Sequence, residues 1–163
     1  MMRLALSLLP LLQAPQEDVT RATLVFETMH CDECRAELEA VLRKLRGFKS
    51  SATAENRVTV TIEDRVPLPA FDRLPRDLTL KQVLVEIAGT VSFAEDKAAL
   101  VAKGSGAVLA LVNPEKPKPM DRLAELRKKL GGKNRFRVRG TLAGTKTIVL
   151  DSFEPADWKD TPD

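Results

Sequence analysis

The sequence predicts an α+β chain of two small units in tandem, the first built on one amphipathic helix and the second mostly on strands. Three observations carry that reading. Short segments alternate apolar and polar residues, as strands with one buried face do. Two segments instead repeat their apolar residues at helical spacing. Runs rich in proline or glycine punctuate the chain between them.

The chain opens "MMRLALSLLPLLQAPQEDV". Arg3 precedes an apolar run from Leu4 to Leu12, and Ala14 closes a small-residue site, the layout of a secretory signal peptide over residues 1–14. The run is far shorter than the ~20 residues that span a bilayer. A soluble exported protein, periplasmic or extracellular, is the expectation, or a cytoplasmic one if residues 1–14 are not a signal, with no membrane span.

"ATLVFET" (Ala22–Thr28) alternates around Leu24 and Phe26 and reads as a strand. It runs into "MHCDEC", after which Cys34, Leu38, Val41, Leu42 and Leu45 fall on one side of a helix. Glu39 and Arg43 pair at i,i+4 on its outer face, and Gly47 stops it. A weaker strand, Phe48 to Ala54, turns through "AEN" into a second in which Val58, Val60 and Ile62 alternate with polar residues. "VPLPAFDRLPRDL" carries three prolines, which permit only a short helix.

"TLKQVLVEIAGTVSF" is ambiguous. Thr79 and Gln82 could form a capping box ahead of a helix over 79–88. Its β-branched alternation favours one long strand, 80–94, with Gly89 at a bend or bulge. "KAALVAKGSGAVLALVN" reads as two strands around Gly104-Ser105-Gly106. After "PEKPKP" comes a helix with Met120, Leu123, Leu126 and Leu130 inside, Glu125 paired to Lys129, and Gly131 as its C-cap. "NRFRVRGTL" and "TKTIVLDSF" are strands joined by "AGT", and residues 156–163 form a polar tail.

The chain's two cysteines and its one histidine sit together in "TMHCDEC", Thr28 to Cys34. Cys31 falls in the strand–helix loop and Cys34 in the first helical turn. The helix N-terminus stabilises thiolate through its partial positive charge and free N–H groups. Two thiolates suit a soft, low-coordination ion such as Cu(I), and do not complete a four-coordinate zinc site. His30 could add a third donor or act behind the sulfurs. The same spacing also serves a structural disulfide or a redox dithiol. Asp32 and Glu33 oppose a second anion, and the residues flanking the cysteines lack thioredoxin's W-C-G-P-C pattern.

Residues 22–63, with Met29, Cys31 and Cys34 as M-x-C-x-x-C between a strand and an amphipathic helix, resemble the heavy-metal-associated domain of copper chaperones and metal-transporting ATPases. Thr28 stands where that family often has glycine. The resemblance implies a ferredoxin-like βαββαβ fold over 19–88. It also implies metal binding by Cys31 and Cys34, support of the loop by Met29, and exchange of Cu(I), or Zn(II) or Hg(II), with a donor or acceptor protein. Two exposed loops sharing one ion would make a metal-bridged homodimer.

The second half, 89–155, has the element order of a small OB-like barrel, with strand 80–94 open to both units. Arg135, Arg137 and Arg139 share one strand face, and a basic stripe is what nucleic acid requires. Stacking aromatics are scarce and the formal net charge is only +3, so a solvated face is expected in place of a nucleic-acid site. No phosphate loop or G-x-S-x-G is present, and no enzyme is expected. The alternative to a metal carrier is an interaction module in which the barrel binds and the cysteines are a structural pair.

Overall fold

The inner side of the first strand reads Thr20, Ala22, Leu24, Phe26, and each of these is buried. In the computed structural model, which describes residues 19–157, this strand is β1, Val19–Phe26. The signal-peptide reading of 1–14 and most of the tail lie outside the described residues. Helix α1, Asp32–Leu42, follows, then β2, Phe48–Ala54, and β3, Arg57–Glu63. Both β2 and β3 keep the ranges that their alternation suggests. The expected Glu39–Arg43 pair closes at 2.6 Å.

β3 runs antiparallel between β1 and β2, and β4, Leu80–Ala94, pairs antiparallel with the other edge of β1. The apolar residues of the sheet therefore stack in rows: Val60, Ala22 and Val85 lie side by side, as do Val58, Leu24 and Val83. Helix α1 adds Leu38 and Leu42 to the same core. No helix follows β3. Residues 64–79 form an irregular strap whose Val66, Leu68, Phe71 and Leu74 pack partly buried against the core.

β4 continues past the end of β1. From Gly89 onward its freed edge pairs with β5, Lys97–Ala102, while its opposite edge pairs with β7, Arg135–Ala143, from Leu84 to Thr90. A Cβ at Gly89 would lie 2.4 Å from the Val101 carbonyl oxygen, so only glycine fits where β4 changes partner. β6, Val108–Val112, pairs with β5 and runs parallel to β8, Thr147–Pro155, which pairs antiparallel with β7. The circuit β4-β5-β6-β8-β7-β4 closes a five-stranded barrel. Helix α2, Arg122–Leu130, lies between its third and fourth strands, and the barrel is consistent with the OB-like one expected. The Lys103 N–H donates to the Ala88 carbonyl at 2.9 Å, tying the β5–β6 turn to β4.

The ferredoxin-like βαββαβ expectation is overturned. Strand holds 47% and helix 14% of the structure, too little helix for that fold, and the chain closes a barrel that it does not contain. The cause is local. Prolines at 67, 69 and 75 fix φ and remove N–H donors across the stretch that would have been the second helix. Val83, Val85, Ile87 and Val91 favour the strand that follows. The helical option over 79–88 falls with it. Two side-chain expectations for α2 also change: Met120 lies outside the helix and is exposed, and Glu125 is engaged by Arg122 at 3.1 Å. No helix among the described residues is long and apolar enough to cross a membrane.

Candidate metal site

β1 delivers the chain into the cysteine loop, and two backbone hydrogen bonds and the Asn56 side chain fix where it leaves the sheet. The Phe26 N–H donates to the Asn56 carbonyl at 2.9 Å, and the Glu27 N–H to the Thr79 carbonyl at 3.0 Å. The Met29 N–H donates to Asn56 Oδ1 at 3.1 Å, and the Asn56 amide donates back to the Glu27 carbonyl at 3.4 Å. The β2–β3 turn thus holds the loop from below through one side chain. Arg35, one turn into α1, donates to the Met29 carbonyl at 3.0 Å. Met29 is buried, 1% exposed, at the foot of the loop.

Cys31 is the N-cap of α1, and its Sγ accepts the Cys34 N–H at 3.3 Å. Both thiols are free, Cys31 exposed and Cys34 half-buried. A side-chain hydrogen bond from Cys34 lowers the Cys31 thiol below its ordinary value, and the backbone N–H groups of Cys34 and Glu33 act in the same direction. Cys34 is pushed up to about 11, first by that same hydrogen bond, then by burial and by the negative charges of Cys31 and Asp77. The pair is unequal: Cys31 gives up its proton more readily than Cys34 does.

His30 is exposed, and so are Asp32 and Glu33. No group of three or more His, Cys, Asp or Glu side chains placed to hold a metal occurs among the described residues. The arrangement is therefore a two-sulfur one at a helix start. Such a pair can hold a soft ion in low coordination, accept an ion passed from another dithiol, or close to a disulfide.

Sequence reasoning treated Asn56 only as part of a turn, gave Thr79 only a capping role, and gave none to Arg35 or Asp77. "AEN" marks a turn whatever its asparagine side chain holds, so no local signal distinguished it. The arginine stripe also has a different place from the solvated face expected. Arg21, Glu86 and Arg139 lie in one row across β1, β4 and β7. Glu86 accepts from Arg21 at 3.1 Å, Arg137 at 3.0 Å and Arg139 at 2.7 Å, and Arg139 also reaches Glu154 at 3.2 Å. Burial alone would raise Glu86, but the hydrogen bonds from Arg139 and Arg137 outweigh it and hold the carboxyl below its ordinary value. Arg137 and Arg139 are thus spent within the fold, joining the first sheet to the barrel.

No protein-family model, curated protein or solved structure matches the chain. Fold and site together define a strand-dominated protein in which a closed barrel carries a side sheet, and that sheet presents an exposed dithiol.

Proposed function

We propose that the chain is an exported heavy-metal-binding protein that takes Cu(I), in preference to Zn(II) or Hg(II), between Cys31 and Cys34 and passes it to or from a partner's thiols. The supporting observation is the exposed pair itself, a thiolate-favouring N-cap cysteine joined to a second thiol one turn on. Cys31 presents the first sulfur. The proton held on Cys34 must leave when the second sulfur engages, so affinity rises with pH. Asn56 and Arg35 hold the loop's backbone, so the sulfurs can be offered without loss of the fold. The resemblance of Met29, Cys31 and Cys34 to the M-x-C-x-x-C loop supports the same reading, although it rests on that motif and its flanks and not on the whole domain's fold.

Titration of reduced, anaerobic protein with Cu(I) against a competing chelator tests it, beside the Cys31→Ser/Cys34→Ser variant. Tight one-to-one binding that the variant loses is expected. Equal, weak binding by both rules out the metal reading and moves attention to the barrel as the binding element.

A further inference from the structure

On the inner face of the sheet, the strap of residues 64–79 stands where a ferredoxin-like fold would place its second helix. A helix is about 10–12 Å across with its side chains, and an extended strap is narrower. The strap therefore leaves a cavity of about 730 Å³ bounded by the sheet, the end of the barrel and itself. Its walls are mostly apolar, with Leu68 and Phe71 from the strap, Val83 and Ile87 from β4, Leu109 from β6 and Leu142 from β7, while Ser105 and Thr145 add hydroxyls from the β5–β6 and β7–β8 turns. That volume and lining are those of small-molecule sites in general.

Two features narrow the ligand. Thr20 lines the cavity, is 6% exposed, and is the one buried polar side chain among the described residues. It interrupts the row Ala22, Leu24, Phe26 with a hydroxyl at a position where the rest of the face is apolar. A buried hydroxyl is suited to a neutral oxygen on a ligand, because burying a carboxylate in an apolar wall without a cation beside it is strongly unfavourable. The rim then balances one cation against one anion, with exposed Lys146 and exposed Asp72 both lining the cavity. Such a rim selects for no net charge.

We propose that this cavity binds an uncharged aliphatic molecule carrying one oxygen group, of the fatty-alcohol or fatty-ester class, with its chain along Val83 and Ile87 and its oxygen on Thr20. The site is separate from the dithiol and does not depend on it.

The full chain is titrated with the neutral fluorophore 1-aminoanthracene, which is then displaced by dodecan-1-ol, dodecanoate or dodecane. Saturable probe binding is expected, with dodecan-1-ol displacing at lower concentration than dodecanoate. Thr20→Val, which keeps the side chain's shape, weakens the alcohol about five- to tenfold, as loss of one neutral hydrogen bond does, and leaves dodecane unchanged. Ala107→Phe, placed in the cavity wall from a half-buried position, abolishes probe binding with the melting temperature unchanged. The Cys31→Ser/Cys34→Ser variant binds the probe as the parent does. Unsaturable probe binding, better displacement by dodecanoate, or an alcohol affinity untouched by Thr20→Val overturns the proposal, and the Thr20 result decides the matter even if Ala107→Phe unfolds.

Discussion

The inner face of the first sheet is closed in two different ways. Near the cysteine loop, α1 covers it, and Leu38 and Leu42 are each 1% exposed among Leu24, Val58 and Val60. Further along, a proline strap covers it, and Leu68 and Phe71 stay only partly buried beside a large cavity. The sheet is the same in both places, and its inner face is apolar apart from Thr20 at the strap end. What differs is the cover: a helix repeats its apolar residues every 3.6 positions onto one face, while a chain held extended by prolines cannot. The helix end is accordingly the one that can hold a loop of reactive residues steady. The strap end has the looser packing that a ligand site needs.

The comparison makes its largest prediction about stability. Leu42→Ala should lower the unfolding free energy by about 2–5 kcal/mol, the cost of emptying a packed core position. Leu68→Ala should cost about 1 kcal/mol or less, since it removes atoms that are partly exposed already. Urea unfolding of the two variants gives both values, and equal losses would erase the distinction between the covers.

The opposite face of the same sheet carries the next effect. Glu86→Gln removes the carboxylate on which Arg21, Arg137 and Arg139 converge and should cost about 1–2 kcal/mol, reduced from a fully buried charge pair by partial exposure. Its pH dependence has a definite sign. The folded carboxyl titrates below its ordinary 4.5, so the stability that it contributes is complete above about that pH and disappears as pH falls through the lowered folded value. The variant should lose that part of the acid limb in unfolding curves taken from pH 7 to pH 2.

The smallest effect should fall at the cysteine loop. Cys31→Ser keeps an N-cap acceptor, of a type that caps better than sulfur, so stability should change by only a few tenths of a kcal/mol. A large loss in thermal melts would mean that the loop is structural and not held ready by Asn56 and α1. Iodoacetamide labelling followed by mass spectrometry should find Cys31 modified first at neutral pH. Cys34 should catch up only as pH climbs towards about 11. Equal labelling at pH 7 would remove the inequality between the two thiols.

Local chemistry was enough to place every strand and both helices near their observed positions. The periods of two and 3.6 residues, the glycine turns and the helix stops all act within a few neighbours. The placement of Cys31 at the start of α1 came from the same local signals, as did the inability of residues 67–75 to form a full helix. The rest needed distance. Arg21 meets Glu86 from 65 positions away and Arg139 meets it from 53, and no periodicity announces either meeting. Asn56 reaches Met29 from the far side of a helix and a strand. The sequence left strand 80–94 open to both units, and only the folded chain fixed β1 and β5 on one of its edges and β7 on the other, and covered the first sheet with a strap in place of a second helix. Sequence determines which elements form because that is decided by neighbouring residues. Which elements share an edge, and what is left open between them, depends on pairings made across the whole chain.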